Sequence, residues 1–383
     1  MSASLRKRVC WITTTPFIAN SFLGPHLREL AKHHELTLAV NLDDGYSLHP
    51  PDAAVRVVGL PLSRKISLWR DSLALLALLR LLIGSRFDAV HSFAPKAGLL
   101  GMLAAWIVRV PVRVHTFQGE VWASRRGSMR AILKAADWLT ARLATHVLVV
   151  GRGERTFLEK EGVVPRGRGI VLGDGSITGV DTERFRPNPA ARALIRDQLL
   201  MQPTDVLFLF LGRLVRDKGV LDLAAAFEIA CARNPGLVLA FVGPDEGAIA
   251  ADIRFNAGAA AARLRFVGYT MRPEDYLAGA DIVCMPSYRE GFSTVILEAA
   301  ACEVPTLASR IYGTEEALVD GVTGRYFPAA DTQALASAIV ELAADAASRE
   351  EMGRAARHYV LERYRAERLV AEMSAFYHRV VEA

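Results

Sequence analysis

The sequence predicts an α/β protein with two Rossmann-like domains, each built on a doubly wound parallel sheet, which face one another across a cleft. Two observations lead to this prediction. Short apolar or β-branched runs alternate with longer helical patterns in both halves of the chain, and 383 residues are more than one hydrophobic core usually organises. Apolar residues form 51% and charged residues 23% of the chain, a composition typical of folded globular proteins.

Six strands and four helices are predicted in the first half. Each strand is a short apolar run bounded by polar residues, as expected of strands inside a parallel sheet. The predicted strands are Arg8–Thr13, Leu36–Val40, Arg56–Val58, Ala89–His91, Val112–Thr116 and Val147–Val150. The predicted helices between them are Gly24–Lys32, Ser67–Ile83, Lys96–Val108 and Met129–Ala144.

The second half repeats this alternation. Its predicted strands lie in the segments VLFLFLGRL, GLVLAFVG, LRFVG, IVCMPS and TLAS, and its predicted helices are Val220–Arg233, Ser293–Ala301 and a long tail from Asp331. Between the halves, residues 173–193 are rich in Gly, Pro, Asp and Asn and interrupt the periodicity, which indicates a linker. We therefore expect an N-terminal domain over residues 1–178 and a C-terminal domain over residues 179–364.

The start of the chain and its cysteines predict a cytoplasmic protein. The first residues run from a short basic tip into a strand-like run, without the long apolar core or the small-residue cleavage site of a secretory signal. The cysteines form no Cys-x-x-Cys pair and are not accompanied by histidines at metal-ligand spacing. Disulfides and structural zinc are therefore not expected, and a reducing compartment fits best. The four cysteines are Cys10, Cys231, Cys284 and Cys302.

Basic charge is concentrated in the first half of the chain. Residues 1–180 contain 24 Lys and Arg against 13 Asp and Glu, whereas the remainder contains 22 against 28. Such a half can face an anionic partner such as phospholipid, lipid pyrophosphate or nucleic acid, or it can be a solvated arginine-rich surface. Nucleic acid is the least favoured partner, because the chain has no recognition motif and no aromatic–basic stacking platform.

Two segments favour contact with a membrane surface. Residues 63–84 form a nearly all-apolar helix with basic residues and a tryptophan at its start, but the apolar run is too short to span a bilayer. This helix is either buried in its domain or lies at the membrane interface with its basic end at the headgroups. A second basic cluster lies in WASRRGSMRAILK. Under the interfacial interpretation, the acceptor or membrane face consists of Arg64, Lys65, Trp69, Arg125, Arg126, Arg130 and Lys134.

A basic turn follows the first strand of the second half. In LFLFLGRLVRDKGV, Gly212 permits a tight turn, Arg213 stands at the carboxyl end of the strand and Lys218 precedes a helix. An arginine fork and a lysine point charge can converge on a pyrophosphate. No Asp-x-Asp pair, which could bind a metal ion for the same purpose, occurs in the chain. Taken alone, the pattern also fits a loop of solvated charges.

The segment SYREGFSTVILEAAACEVPTLAS, residues 287–309, carries the strongest signal. Glu290 lies in a loop after an apolar strand, residues 291–294 turn into a helix, and Glu298 lies about one turn inside it. Free amides at a helix start suit phosphate oxygens, and carboxylates before and within the helix suit the hydroxyls of a sugar and a ribose. This spacing predicts a nucleotide-sugar site.

The same segment resembles the Glu-x7-Glu signature of the family 4 glycosyltransferases, which have the GT-B fold. LGRLVRDKG, FVGYT, ADIVCMPSYREGF, EEALVDGVTGRYF and GVDTERFRP are also similar to that family. VHSFAPKAGLLG and VHTFQGEVW resemble its bacterial branch that builds surface polysaccharides on undecaprenyl diphosphate. The resemblance extends over essentially the whole chain. It implies an acceptor-side N-terminal domain to which a final helix, about 365–383, returns, and a nucleotide-sugar-binding domain over residues 179–364.

This resemblance implies a retaining glycosyltransferase that needs no bound metal and no other cofactor. The enzyme would transfer a hexose or N-acetylhexosamine from a nucleotide diphosphate sugar to a glycan or lipid-diphosphate-linked acceptor in cell-surface polysaccharide biosynthesis. UDP is the expected nucleotide, and the inner face of the cell membrane the expected location. Many members carry a histidine near the donor sugar where this chain has Gln118, which can hydrogen-bond a hydroxyl but cannot carry a proton.

Position by position, the resemblance also implies residue roles. Arg213 and Lys218 would hold the donor pyrophosphate and Glu290 would bind the sugar ring, which makes these three the expected catalytic residues. Val267 would lie beside the base and Glu298 on the ribose. The expected donor-binding residues are Gly212, Val267, Gly291, Phe292, Ser293, Thr294, Val295, Glu298 and Gln118.

The sequence leaves open two alternatives to a sugar-transfer activity. A UDP-sugar epimerase of the GT-B fold would handle the same donor without an acceptor. A lipid-binding module would combine the basic first half with a degenerate donor site. Intact Arg213, Lys218, Glu290 and Glu298 argue against degeneracy.

Overall fold

The computed structural model describes residues 6–382 except 44, 46, 50, 51, 64 and 65. The chain divides into two compact units. The first unit contains the residues up to Thr178 together with those from Ala366 onward, and the second unit is Gly179–Arg365. The division falls within residues 173–193, the segment that the sequence identifies as a linker.

The first unit is built on a seven-stranded sheet in which all neighbouring strands are parallel. Its strands are β1 (Arg8–Thr13), β2 (Glu35–Val40), β3 (Arg56–Gly59), β4 (Ala89–Phe93), β5 (Val112–Phe117), β6 (His146–Val149) and β7 (Gly169–Val171). They lie side by side in the order β3-β2-β1-β4-β5-β6-β7, so the chain winds outward from β1 in both directions. This confirms the predicted doubly wound parallel sheet.

Helices cover both faces of this sheet. They are α1 (Pro16–Ile18), α2 (Gly24–Leu30), α3 (Leu68–Ser85), α4 (Pro95–Ile107), α5 (Gly127–Leu143) and α6 (Arg152–Lys160), with a π-helical segment (Ala19–Leu23) before α2. Helix α3 begins after Ser67, whose hydroxyl accepts the Arg70 N–H as an N-cap. One hydrophobic core contains residues of α3, α4, α5 and α6, and a second core contains residues of α2.

The final helix, Ala366–Val381, belongs to the first unit, as expected. Its Phe376 and Tyr377 lie in the same core as Trp11 of β1. The Tyr377 hydroxyl accepts the Trp11 Nε1–H at 2.7 Å and is 2.9 Å from His91 Nδ1. These buried polar contacts fix the end of the chain to the centre of the first sheet.

The second unit contains a six-stranded sheet, also with all neighbours parallel. Its strands are β8 (Val206–Leu211), β9 (Leu237–Val242), β10 (Leu264–Gly268), β11 (Ile282–Met285), β12 (Thr306–Ser309) and β13 (Gly324–Phe327). They lie in the order β10-β9-β8-β11-β12-β13. The helices are α7 (Pro189–Gln198), α8 (Val220–Cys231), α9 (Ala250–Asn256), α10 (Pro273–Gly279), α11 (Thr294–Ala301), α12 (Thr332–Ala344) and α13 (Ala346–Arg363), with 3₁₀ turns at Arg216–Lys218 and Gly258–Arg263.

Two details of the second unit differ from the sequence predictions. Helix α7 begins inside the predicted linker, because Asn188 accepts the Ala191 N–H as an N-cap and Pro189 suits the first helical position. The predicted long tail from Asp331 is interrupted at Asp345. The side chain of Asp345 caps α13 by accepting the Ser348 N–H, so it ends one helix and begins the next.

Candidate functional site

The loops that follow β8 and β11 meet at the carboxyl edge of the second sheet, because these strands are parallel neighbours. The Tyr288 N–H donates to the Asp217 carbonyl oxygen at 3.0 Å. At the turn between β8 and α8, Gly219 has φ +68°, and a Cβ there would lie 2.0 Å from the Pro286 oxygen. Only glycine permits this approach. The structure thus brings together the two segments that the sequence singled out.

Lys218 and Glu290, predicted separately, are direct partners. Lys218 Nζ donates to Glu290 Oε1 at 2.5 Å, and the Ser287 hydroxyl donates to the same oxygen at 2.7 Å. The Lys218 side chain is 21% exposed and the Glu290 side chain 12%. The ammonium and the carboxylate are therefore held in place where the two loops meet. The sequence analysis did not identify Ser287, although its position three residues before Glu290 allows its hydroxyl to reach the Glu290 carboxylate.

Arg213 also has a carboxylate partner. Its Nη1 donates to Glu246 Oε2 at 2.8 Å, from the loop that follows β9. Gly212, directly before it, has φ +152° and donates its N–H to the Val242 oxygen at 2.9 Å. Both expected phosphate-binding cations thus face carboxylates here, and an anion entering the site would compete with Glu246 and Glu290 for them.

The residues around the start of α11 form an open helix N-terminus. No side chain caps this helix, and Thr294 and Val295 are partly exposed. Ser293 is buried; its N–H donates to the Gly313 oxygen at 3.0 Å, and its Oγ has no hydrogen-bond partner within the described part of the chain. Uncapped amides and an unsatisfied hydroxyl at a helix start suit an anionic ligand.

Three of the expected donor-binding side chains are part of the hydrophobic core. Phe292 and Val295 pack against the core of the second unit, and the Phe292 ring lies 5.7 Å from the Tyr364 ring, centroid to centroid. Val267, on β10, packs against the same core. Gly291, before Phe292, is buried. Ligand contacts at residues 291 and 292 would therefore come from the backbone, as the resemblance implies.

Glu298 is a partly buried carboxyl group on α11. Burial raises its pKa to about 7, the nearby Arg184 lowers it and Glu274 raises it. Arg184 and Glu274 form an ion pair with each other, with a 2.8 Å separation between Nη2 and Oε2. Glu298 therefore exchanges its proton near neutral pH.

Gln118 belongs to the first unit, directly after β5. Its Nε2 is buried and has no hydrogen-bond partner among the described residues. Because a buried amide without a partner is destabilising by about 1–3 kcal/mol, this group suits a ligand oxygen.

The predicted basic face is only partly present. Arg64 and Lys65 lie outside the described residues. Trp69 is 74% exposed, and Arg125 and Arg126 are exposed. The two remaining cations have partners within the first unit. Arg130 and Lys134 are 2.8 and 2.7 Å from the Glu161 carboxylate, and both stack on the Trp122 ring. Glu161, directly after α6, thus offsets one of their two positive charges.

Large apolar side chains are exposed on the outer sides of three neighbouring helices of the first unit. Helix α4 packs between α3 and α5, and all three contribute their inner sides to one core. On α3, Trp69, Leu73, Leu76 and Ile83 follow one another at four, three and seven positions. On α5, Met129, Ile132 and Leu139 follow one another at three and seven positions, so a stripe runs along each helix. We call this surface the apolar face, and it consists of Leu68, Trp69, Leu73, Leu76, Ile83, Trp106, Ile107, Met129, Ile132, Trp138 and Leu139.

Two features are absent from the described residues. Among residues 6–382, apart from the six residues left out, no group of three or more His, Cys, Asp or Glu side chains is arranged to hold a metal ion. In the same part of the chain, no helix has the length and apolar character needed to cross a bilayer.

Comparisons with known proteins identify related sequences and folds. Residues 191–359 match the family model for glycosyl transferases group 1, and residues 24–175 match a glycosyl transferase 4-like domain. The capsular polysaccharide biosynthesis glycosyltransferase CapM of Staphylococcus aureus is 25% identical over 360 residues, covering 91% of both chains. An Escherichia coli UDP-Gal:alpha-D-GlcNAc-diphosphoundecaprenol alpha-1,3-galactosyltransferase is 28% identical over 301 residues, covering 77% of this chain and 76% of that protein. The sucrose-phosphate synthase structure from Thermosynechococcus elongatus has a TM-score of 0.80 at 22% identity, covering 98% of this chain and all of that one.

Proposed function

The chain belongs to the family 4 glycosyltransferases of the GT-B fold, and on this premise we propose that it transfers a hexose or N-acetylhexosamine from a UDP-sugar with retention of configuration. The proposed acceptor is a glycan or a lipid diphosphate-linked sugar in cell-surface polysaccharide biosynthesis. The nucleotide and the acceptor are supported by the two bacterial relatives, one named for capsular polysaccharide biosynthesis and one for a UDP-galactose donor and a diphosphoundecaprenol acceptor.

One observation carries the proposal: the Lys218–Glu290 pair stands beside the uncapped start of α11. In the proposed complex, Arg213, Lys218 and the helix amides would receive the diphosphate, with Glu290 on the sugar hydroxyls and Glu298 on the ribose. The diphosphate would compete with Glu246 and Glu290 for the two cations, and we propose that these cations and the amides at the start of α11 then hold it without a metal ion.

The proposed step exchanges one bond at the anomeric carbon. The bond to the β-phosphate oxygen breaks and its electron pair leaves with UDP. The acceptor hydroxyl oxygen bonds to the anomeric carbon on the same face, and its proton passes to the departing diphosphate. Arg213 and Lys218 would stabilise the charge that develops on that diphosphate, while Glu290 would orient the sugar.

A thermal-shift panel tests the nucleotide and the metal independence together. UDP is expected to raise the melting temperature in the presence of EDTA, whereas GDP, ADP and dTDP are expected to raise it less, because binding to the folded state stabilises it. A shift that disappears in EDTA would overturn the metal-free proposal. A larger shift with another nucleotide would replace UDP in it.

Glu298 predicts a pH dependence of donor affinity. A ribose diol donates hydrogen bonds to the ionised Glu298 carboxylate. Because the pKa of this carboxyl group is about 7, it carries a proton at lower pH and must lose that proton before it can accept these bonds. The affinity for the UDP-sugar is therefore nearly full about one pH unit above this pKa and falls as the pH decreases, by about fivefold between pH 7 and pH 6. Calorimetric titration across this range measures the effect. Glu298→Gln removes the titrating group and should bind weakly but with a flat profile; an unchanged slope would remove Glu298 from the ribose.

The apolar face supports a peripheral position on an anionic membrane, at the cytoplasmic surface. Exposed tryptophans and aliphatic side chains on the outer sides of adjacent helices can enter the boundary between headgroups and acyl chains. Arg70, Arg80, Arg125 and Arg126, all exposed, lie on the same helices or immediately before them, where each can contribute about 1 kcal/mol with anionic lipid. Apolar burial and charge therefore favour the same partner, a bilayer that contains anionic phospholipid.

Substitutions on two helices test this surface. Trp69→Ser combined with Ile132→Ser is expected to reduce sedimentation with phosphatidylglycerol-containing vesicles about tenfold or more, because burial of these side chains contributes roughly 2–4 kcal/mol. The matched control is Phe255→Ser with Leu200→Ser, which removes two exposed apolar side chains from the second unit. Equal losses in both variants, or no loss in the first, would show that the apolar face does not bind the membrane.

A further inference from the structure

The backbone around Glu290 is held from two sides within the second unit. On one side, the Tyr288 N–H donates to the Asp217 oxygen at 3.0 Å. On the other side, a Cβ at Gly313 would lie 2.3 Å from the backbone oxygen of Glu290, so the loop after β12 approaches more closely than any other residue would permit. Because the backbone is fixed, the position of the Glu290 carboxylate depends on the torsion angles of its side chain.

Ser287 restricts those torsion angles. Its hydroxyl donates to Glu290 Oε1 at 2.7 Å, and Lys218 Nζ donates to the same oxygen at 2.5 Å. Among the described residues, no side chain or amide donates a hydrogen bond to the other oxygen, Oε2. The two oxygens of the carboxylate therefore differ: Oε1 is occupied by protein donors, and Oε2 can accept hydrogen bonds from a ligand.

Ser287 is itself fixed by the neighbouring strand. It is completely buried, and its backbone oxygen accepts the Ser309 hydroxyl at 2.5 Å. Ser309 is the last residue of β12 and is also completely buried. Two buried hydroxyl groups thus connect the Glu290 carboxylate to the sheet, and such a fully satisfied buried network is rigid.

We propose that Ser287 is a positioning residue that holds Glu290 in place once the donor is bound. This role rests on the proposed function, in which the diphosphate binds Lys218 and Glu290 binds the sugar. The diphosphate competes with Glu290 for the Lys218 ammonium, because both are anions. It does not compete for the Ser287 hydroxyl, which is neutral and completely buried. In the donor complex, Ser287 therefore keeps its hydrogen bond to Oε1, and Oε2 is the oxygen that accepts from the sugar.

Ser287→Ala removes this hydrogen bond and leaves the backbone unchanged. We expect kcat, measured as UDP release, to fall about tenfold, because the carboxylate that orients the sugar is no longer held. Calorimetric titration should show UDP affinity within about twofold of wild type, since UDP lacks the sugar that Glu290 binds. Ser287→Cys fills more of the buried space than alanine but donates only weakly, and should show the same separation of kcat from UDP affinity.

Thr306→Val is the matched control for these variants. Thr306 lies on β12 and is buried, and its hydroxyl has no hydrogen-bond partner within the described part of the chain. The substitution removes a buried hydroxyl from the same sheet without changing a contact of Glu290. We expect kcat within about twofold of wild type. The melting temperature of every variant is recorded beside its kcat.

A double-mutant cycle shows whether Ser287 acts through Glu290. In Glu290→Gln, the carboxylate that Ser287 positions is already absent. Adding Ser287→Ala to that variant should therefore change kcat by less than about twofold. A purely structural role of Ser287 would instead lower kcat by the same factor in both backgrounds.

The outcomes separate the role of Ser287 from the proposed function. If wild type releases UDP and Ser287→Ala keeps the wild-type kcat, or if the cycle is additive, the positioning role is refuted and the proposed function stands. If UDP affinity falls in proportion to kcat, the substitution has disturbed the whole donor site, and the positioning role is also refuted. If wild type releases no nucleotide from any UDP-sugar, the proposed function fails, and the role of Ser287 fails with it.

Discussion

Replacing Lys218 by methionine is expected to weaken UDP binding by about 10-fold to 150-fold. The substitution keeps the length of the side chain and removes the ammonium that would contact the diphosphate, and a charge-assisted hydrogen bond contributes about 1.5–3 kcal/mol. Calorimetric titration with UDP in EDTA measures the change. The variant also removes the cation beside Glu290, so its melting temperature should be recorded to separate a loss of binding from a loss of folding.

Arg216→Met is the matched control for this experiment. Arg216 lies in the same short 3₁₀ turn as Lys218, but its side chain is exposed and paired with Asp252 at 2.7 Å. It removes the same charge from the same turn, and should change UDP affinity by less than about twofold, since exposed charges are screened. Equal losses of UDP affinity in the two variants would mean that the positive charge of the loop acts only at long range and that Lys218 does not contact the diphosphate.

Glu290→Gln is expected to lower kcat by about 100-fold to 1,000-fold while leaving UDP affinity within about twofold. Glutamine has the same shape and can still accept hydrogen bonds from Lys218 and Ser287, but it lacks the charge that would hold the sugar hydroxyls as positive character develops at the anomeric carbon. Steady-state UDP release measures the change in kcat, and UDP titration measures the change in affinity for the nucleotide.

Glu246→Gln provides the comparison for Glu290. It also neutralises a carboxylate that is paired with an expected phosphate-binding cation, but it is not expected to touch the sugar. We therefore expect nearly normal kcat and, because Glu246 competes with the diphosphate for Arg213, slightly tighter UDP binding. If Glu290→Gln behaves like Glu246→Gln, Glu290 does not bind the donor sugar.

Most strands of the fold were predictable from continuous apolar runs, including the four-residue β6, β11 and β12, whereas β7 and β13 were missed. VLFLFL of β8 and LVLAFV of β9 are continuous buried runs, and such runs identify strands without tertiary information. β7 has three residues, and β13 contains Arg325 between its buried ends. These two strands form because a neighbouring strand provides their hydrogen-bond partners. This is a tertiary effect that the local sequence pattern does not contain.

The same distinction holds for the candidate site. Lys218 and Glu290 could be identified because each stands in a distinctive loop, but their direct contact depends on β8 and β11 being neighbours. The basic face carries less charge than the sequence suggests, because Glu161, about thirty residues from Arg130 and Lys134 along the chain, pairs with both and offsets one of their two positive charges.

Incubation with UDP-sugars, a polyprenyl diphosphate-linked N-acetylhexosamine and EDTA tests sugar transfer most directly. Mass spectrometry of the lipid and quantification of free UDP report both products of the same reaction. We expect the acceptor to gain one sugar for each UDP released, with the new linkage in the anomeric configuration of the donor. Conversion of the UDP-sugar to its epimer, with no UDP released and no change in the acceptor, would contradict the account and identify an epimerase.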